Sequence, residues 1–345
     1  MKEGGPGRTR VFKRSSFSRQ LTQTVLVLWL GPSLSAGDLL RFEANLDAMG
    51  GTYSLVLYGP DRYPLEAAAE AAFDEVRRLD QLLSNYKSTS EWSEINRFAS
   101  DRPVTVSEES LQLLSACLEY SRRSEGSFDI TVGPLMKVWG FYKGTGRLPH
   151  RAEIRSSLAS VGSSFVELNS TARTVKFARP GMSIDPGGIG KGYAVDRIVK
   201  ILREAGIQSA FVSASASTVY ALGTPPGEAG WKVTISDPKD RKRAVAEMLL
   251  KDESLSTSGN YEKFFLAGKH LYSHIMNPAT GYPAEGMLSV SIVAPRAIDS
   301  EAWAKPLYIK GRAWFAQAQA RNQDLRSFRA FTCEDGWEPK CAWLQ

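Results

Sequence analysis

The stretch IDPGGIGKGYAVD, residues 184–196, joins a strand-like run to a helix near the middle of the 345-residue chain. Glycines in such a turn let the backbone approach a ligand closely, and the helix behind it offers unpaired N–H groups and the positive end of its dipole. Lys191 adds a full positive charge at the same place. The stretch therefore predicts either a phosphate-binding turn or a tight structural turn.

Known phosphate-loop patterns do not match this stretch. A P-loop requires Ser or Thr after the lysine, and Gly192 stands there instead. Gly188, Gly190 and Gly192 give G-x-G-x-G, which is not the dinucleotide pattern G-x-G-x-x-G. The stretch alone leaves open which phosphate would be bound.

Hydrophobic periodicity indicates an α+β fold. Apolar residues recur at helical spacing over 64–84, over 107–126 and again from 194 to 206. Alternating or β-rich runs predict strands in GTYSLVLYG (51–59), RTVKFA (173–178), SAFVSAS (209–215), GWKVTISDP (230–238) and LSVSIVAP (288–295). Strands and helices do not alternate regularly, so we expect mixed or antiparallel sheets with packed helices in one compact unit of two lobes.

Residues 1–36 predict an export signal. A basic stretch precedes the apolar run TVLVLWLG (24–31), and small residues near Ser35 offer a cleavage site. The run is short for a membrane span, although an uncleaved anchor remains an alternative. Residues 37–345 are predicted to form a single domain.

Charge and cysteine content narrow the possible partners. Residues 1–36 hold six of the 43 Lys and Arg residues but one of the 37 Asp and Glu residues, so the remainder is nearly neutral and no nucleic-acid partner is expected. Cys117 lies on the predicted buried face of a helix. Cys333 and Cys341 flank a short acidic loop, and export would favour a disulfide between them. No Cys/His spacing resembles a zinc site.

His274 lies between the strand-like HLYS and the turn NPATG. The residue is a candidate for acid–base work or ligand contact, with a satisfied structural histidine as the alternative. Two other stretches, LSNYKSTSEWSEIN (83–96) and GSFDITVGPL (126–135), place polar or aromatic groups beside apolar runs. Their candidates are Tyr86, Glu91, Asn96, Asp129 and Thr131. These side chains would contact a ligand or be satisfied by a loop or neighbouring backbone.

Seven short blocks occur in the order known from one family. They are MGTYSLVLYG, LSNYKSTSEWSEIN, GSFDITVGPL, IDPGGIGKGYAVD, SGNYEKF, HIMNPATGYP and APRAIDSEA. In these blocks, over about residues 45–311, the chain resembles the ApbE family of FAD:protein FMN transferases. Residues 312–345 would then form a C-terminal extension.

The resemblance implies a two-lobed fold related to tunnelling folds (T-folds), with FAD bound between the lobes. It also implies Mg²⁺-dependent transfer of FMN from FAD to a Thr or Ser hydroxyl of a target protein, with release of AMP. The flavin-accepting target would belong to a membrane redox complex, and the enzyme would be periplasmic or attached to the outer face of the inner membrane. The resemblance gives no indication of an oligomeric state.

The resemblance also assigns roles to residues of this chain. Tyr86 would pack on the isoalloxazine ring, and Lys191 would lie near the pyrophosphate. His274 would assist proton transfer from the attacking hydroxyl, while the Gly190 carbonyl and the Asp299 carboxylate would hold Mg²⁺. The implied FAD-binding set is Met49, Gly50, Thr52, Tyr86, Glu91, Asn96, Asp129, Thr131, Gly188, Gly190, Lys191, Tyr193, Asp196 and His274. The implied catalytic residues are His274, Asp299 and Lys191.

The chain departs from the family pattern in two places. The family motif is D-A-x-A-T-A, in which the Asp and Thr side chains contact the metal, whereas this chain reads DSEAWA over 299–304. Trp303 then stands where the threonine is expected, and Glu301 is a possible substitute ligand two residues early. In FVSASASTVYALG (211–223), Ala and Ser replace glycines. These departures keep open two alternatives: an Mg²⁺-dependent FAD pyrophosphatase and a non-catalytic FAD-binding protein.

Overall fold

The computed structural model describes residues 39–336 and 340–344. The predicted export segment, residues 1–36, lies outside the described residues. Among the described helices, none combines the length and the apolar character that a membrane crossing requires.

The described part of the chain combines helices with antiparallel strands. The helices are α1 (Arg62–Leu83), α2 (Glu91–Phe98), α3 (Glu108–Arg123), α4 (Gly133–Val138), α5 (Arg151–Leu158), α6 (Gly190–Glu204) and α7 (Ala297–Arg321). The strands are β1 (Leu40–Ala48), β2 (Gly51–Gly59), β3 (Val104–Thr105), β4 (Val166–Asn169), β5 (Thr174–Phe177), β6 (Ser209–Ala214), β7 (Thr218–Leu222), β8 (Trp231–Ser236), β9 (Ala244–Leu250), β10 (Glu253–Gly259), β11 (Phe264–Ala267), β12 (His270–Ser273), β13 (Met287–Ala294), β14 (Arg329–Glu334) and β15 (Lys340–Trp343).

The centre of the molecule is an eight-stranded sheet in the order β1-β2-β6-β7-β10-β13-β14-β15. Every paired strand in it is antiparallel. Helices α1, α6 and α7 pack on one face, and the β8–β9 hairpin covers part of the other. All eight residues of β13 are buried, because both faces of this strand are covered.

The glycine turn, residues 185–192, leads into α6 at the place where α6 meets α7. A Cβ atom at Gly192 would lie 2.3 Å from the carbonyl oxygen of Ala297, so only glycine fits there. The Asp196 carboxylate accepts hydrogen bonds from the backbone N–H groups of Ala297 and Ile298 at 2.7 and 3.0 Å. It thereby caps the first turn of α7. Gly192 and Asp196 together thus fix how the start of α6 is placed against the start of α7.

The observed elements confirm the predicted α+β class. Helices α1, α3 and α6 occupy the segments predicted to be helical, and β2 coincides with the run GTYSLVLYG. The Cys333–Cys341 disulfide is present, and Cys117 is buried with a free thiol. The division into a single domain with a C-terminal extension stays a prediction, although β14 and β15 within 312–345 extend the main sheet.

Candidate functional site

The β1–β2 turn lies against the glycine turn. Met49 and Gly50 both have positive φ angles, 49° and 75°, as a two-residue hairpin turn of this kind requires. The Met49 methyl carbon is 3.5 Å from where a Cβ at Gly190 would lie. The Thr52 hydroxyl donates to Asp47 at 2.6 Å. The structure therefore brings this predicted flavin-binding block and the glycine turn together.

Side-chain amides hold the start of the glycine turn. Asn96 accepts from the N–H of Ile184 at 2.6 Å and donates to its carbonyl at 3.0 Å. Asn85 donates to the same carbonyl at 2.9 Å. The Tyr142 hydroxyl donates to the Asp185 carboxylate at 2.6 Å. Because these bonds are made within the protein, the turn is preorganised before any ligand arrives.

Lys191 reaches from the glycine turn to the turn between β6 and β7. Its ammonium forms a short hydrogen bond with the hydroxyl of Ser217. The preceding Ser215 and Ala216 have φ angles of 55° and 53°, a conformation that favours glycine. The turn that the sequence marks as departing from the family thus keeps a glycine-like backbone although its residues carry Cβ atoms.

His274 is a neutral imidazole set among positive charges. Its Nδ1–H donates to the carbonyl oxygen of Lys263 at 3.1 Å, which leaves Nε2 as the unprotonated acceptor. Burial, followed by the charges of Lys263, Lys191 and Lys305, lowers the pKa of His274 to about 3. The same lysine charges that disfavour protonation of His274 favour the binding of an anion beside it.

Glu301 and Lys305, one helical turn apart on α7, face the glycine turn. Glu301 is 2% exposed, and its Oε2 accepts the backbone N–H of Gly192 at 2.6 Å. The Lys305 ammonium lies 3.8 Å from Glu301 Oε1, and its Cε is 3.7 Å from where a Cβ at Gly188 would lie. Burial, together with the charge of Lys191, lowers the pKa of Lys305.

Asp299 and Trp303 lie on a different face of α7, which packs against α3. Both oxygens of Asp299 accept from the Arg296 guanidinium, at 2.7 and 2.9 Å, and the Tyr120 hydroxyl donates to Asp299 at 2.5 Å. Trp303 is 1% exposed, with its ring centroid 6.4 Å from that of Tyr120. These contacts do not favour Asp299 as a metal ligand, and its assignment stays a prediction. The indole lies in the buried core cluster.

The Tyr86 ring is free to stack on a planar ligand ring. Its side chain is 71% exposed, and its ring meets that of Tyr142 edge to face at a centroid distance of 6.0 Å. Since Tyr142 binds Asp185 of the glycine turn, Tyr86 lies at the rim of the same site. An exposed aromatic face in this position suits a planar ligand ring.

Several predicted flavin contacts are satisfied by groups of the protein itself. Glu91 accepts from Ser107 at the start of α3, Asp129 accepts from Thr131 and Ser163, and Tyr193 donates to Glu109. Thr131 and Asp196 are likewise committed to backbone N–H groups. These five residues brace the site in the structure, and their contact with flavin stays a prediction.

Reasoning from sequence missed Asn85, Tyr142, Ser217 and Lys305. Asn85 adjoins Tyr86 and could have been found as a polar neighbour of a predicted contact. Lys305 follows Glu301 by one helical turn, and that spacing was the available signal. Nothing local in the sequence marks Tyr142 or Ser217, which the fold brings to the site.

A preorganised turn with converging cations, set in an α+β fold, defines a protein suited to a phosphate-bearing ligand. The chain belongs to the ApbE family, whose model matches residues 49–328. It is 30% identical over 281 residues to an FAD:protein FMN transferase of Klebsiella pneumoniae, covering 80% of this chain and 85% of the relative. It is 31% identical over 239 residues to the FAD:protein FMN transferase of Escherichia coli K12, covering 67% and 68%.

Solved structures agree with this assignment. The ApbE protein of Thermotoga maritima has a TM-score of 0.79 and 29% identity, covering 87% of this chain and 96% of its own. The apo flavinyl transferase ApbE of Pseudomonas stutzeri has a TM-score of 0.77 at 23% identity, covering 89% and 95%, and supports the fold alone.

Proposed function

We propose that the chain is an FAD:protein FMN transferase, which moves FMN from FAD to a Thr or Ser hydroxyl of a target protein and releases AMP. The observation that carries the proposal is the convergence of the Lys191 and Lys305 side chains on a preorganised glycine turn in a chain of the ApbE family. The activity of the relatives, FAD:protein FMN transferases, supports transfer over the two alternatives, FAD hydrolysis and binding without turnover.

The proposed step is an in-line displacement at phosphorus. The acceptor hydroxyl oxygen bonds to the FMN-side phosphorus of FAD, the bond from that phosphorus to the bridging oxygen breaks, and AMP leaves with that oxygen. The hydroxyl proton passes to Nε2 of His274, whose basicity rises once the bound diphosphate offsets the neighbouring lysine charges. The Lys191 ammonium stabilises the charge that develops on the phosphoryl and bridging oxygens.

We also propose that the enzyme is exported and acts in the periplasm or on the outer face of the inner membrane. The basic and apolar pattern of residues 1–36 supports export. The Cys333–Cys341 disulfide supports an oxidising compartment. The proposed acceptor is a protein of a membrane redox complex, which rests on the family resemblance.

The family's Mg²⁺ would neutralise the diphosphate, but the residues present do not fit a resident magnesium ion. The Asp299 carboxylate is fully engaged by Arg296 and Tyr120. The free oxygen of Glu301 already faces the Lys305 ammonium at 3.8 Å, so a divalent cation bound to it would compete with a resident positive charge. Within residues 39–336 and 340–344, no three His, Cys, Asp or Glu side chains cluster as a metal site. No step of the reaction is assigned to the metal.

The test is a transfer assay with the purified full-length chain, FAD and a peptide that carries an acceptor threonine. AMP release together with flavin fluorescence on the peptide is the expected result. AMP release without labelled peptide would indicate hydrolysis, and FAD binding without AMP release would indicate a non-catalytic protein. A matched peptide with alanine at the acceptor position should stay unlabelled.

A further inference from the structure

We infer that the Lys305 ammonium supplies the positive charge that the family pattern assigns to a divalent cation, so that this chain binds FAD without metal. The inference rests on the proposed function. It concerns two residues of α7. The sequence analysis named Glu301 only as a possible substitute ligand and gave Lys305 no role.

The rotation of α7 decides which residues face the ligand. The family motif places its Asp and Thr ligands four residues apart, on one face of a helix. Asp299 and Trp303 have that spacing here, but their face packs on α3 through Tyr120. Glu301 and Lys305 have the same spacing, and their face meets the glycine turn. The structure therefore places a glutamate and a lysine where the motif would place its two ligands.

The carboxylate of Glu301 is buried and half satisfied. Its Oε2 accepts the Gly192 N–H, and within the described residues its Oε1 has no hydrogen-bond partner. A buried carboxylate oxygen of this kind calls for a nearby cation. The Lys305 ammonium, 3.8 Å away, is that cation.

The Lys305 ammonium is also positioned to bind an anion. It donates one hydrogen bond to the Glu301 carbonyl at 3.0 Å, which leaves two of its three N–H donors for a ligand. Its Cε lies over Gly188, and its charge acts on both Lys191 and His274. The Glu301 carboxylate balances only one of the two positive charges that Lys191 and Lys305 bring to the turn, so the charge that remains favours an anion there. A diphosphate provides that anion.

The experiment measures the dissociation constant of FAD from flavin fluorescence, using the full-length chain in EDTA and in millimolar Mg²⁺. We expect equal affinity in the two buffers, within about twofold. Lys305→Met should weaken binding about 10- to 100-fold in EDTA, the loss of one charge-assisted hydrogen bond. Lys305→Arg should keep metal-independent binding, and Lys305→Thr should bind FAD better in Mg²⁺ than in EDTA. Lys200→Met, on an exposed part of α6, is the matched control and should bind as the wild type does.

The outcomes separate the two proposals. Wild-type protein that binds FAD in Mg²⁺ but not in EDTA would overturn the role of Lys305 and leave the proposed function standing. Wild-type affinity of Lys305→Met in EDTA would overturn that role as well. Absence of FAD binding in both buffers would overturn the proposed function, and this inference with it. The wild-type comparison does not depend on whether any variant folds.

Discussion

At the scale of single residues, the site owes its chemistry to the surroundings of His274. The turn beside this histidine marked it as a candidate in the sequence, but its protonation state was not readable there. Burial first, and then the positive charges of residues 263, 191 and 305, lower its pKa, and these causes come from the fold and not from the residues next to it in sequence. Glu91 and Asp129 show a different outcome. Their positions beside apolar runs predicted ligand contacts, but the protein itself supplies their hydrogen-bond partners.

His274→Gln is predicted to reduce FMN transfer about 10²- to 10⁴-fold, the usual contribution of a general base. The dissociation constant of FAD should change by less than about fivefold, because the neutral ring adds no charge to the anion site. Initial rates of labelling and fluorescence titration measure the two quantities separately. His270→Gln is the matched control, since this exposed histidine pairs with Glu285 and should leave both unchanged. Equal losses in transfer and affinity would contradict the role as base.

The pH dependence of the free enzyme follows from the lowered pKa of His274. Because that pKa is about 3, the unprotonated base is present at every pH above about 4. The pH profile of kcat/KM for FAD should therefore lack an inflection near 6.5 and remain flat from pH 5 to pH 8. Transfer rates measured at low FAD concentration provide the profile. A tenfold loss per pH unit below 6.5 that is absent from His274→Gln would contradict the assignment.

At the scale of elements, local patterns predicted part of the secondary structure and did not predict β1, α2 or the long helix α7. The alternation in residues 51–59 gave β2, and the apolar spacing over 64–84 gave α1 to within two residues. The sequence did not predict which face of α7 meets the glycine turn. Its residues 297–308 are buried on nearly all sides, so no polar face shows which side meets the glycine turn. The sequence motif assigned the two ligand positions to residues 299 and 303, whereas residues 301 and 305 face the glycine turn. Lys305 was therefore missed.

The β6–β7 turn carries a strain that one substitution should relieve. Ala216 has a φ of 53°, where a Cβ atom costs roughly 1 kcal/mol. Ala216→Gly removes that cost, and the greater entropy of the unfolded chain offsets part of the gain. We expect the free energy of unfolding to rise by about 0.5 kcal/mol, measured by urea denaturation. Ala159→Gly, at a φ of −62°, should lower it instead. Destabilisation by Ala216→Gly would show that the turn is unstrained.

At the scale of the whole molecule, the sheet assembles the site from distant parts of the chain. Met49, Lys191, His274 and Lys305 span more than 250 residues, and no local pattern links them. The family resemblance associated the first three because it orders their blocks along the chain, but Lys305 lies outside those blocks. It could not supply the contacts specific to this chain, such as Lys191 with Ser217, because these depend on side chains that the shared pattern does not contain.

The same sheet separates the site from the disulfide. Strand β15, bonded to β14 through Cys333 and Cys341, lies at the opposite end of the sheet from β1, whose turn borders the site. Closing a loop of this length stabilises a protein by about 2 to 3 kcal/mol, chiefly by restricting the unfolded chain. Reduction by dithiothreitol should therefore lower the free energy of unfolding by about that amount and leave the dissociation constant of FAD unchanged.

Urea denaturation and fluorescence titration, each with and without reductant, measure the two effects. The double variant Cys333→Ala/Cys341→Ala controls for reductant acting elsewhere, and both of its measurements should be insensitive to dithiothreitol. Cys117 remains in that variant, but burial raises the pKa of its thiol and keeps it unreactive. Loss of FAD binding on reduction of the wild type would mean that the edge β14–β15 supports the glycine turn through the sheet. Loss of stability alone would mean that the two ends of the sheet act independently, as their separation by six strands indicates.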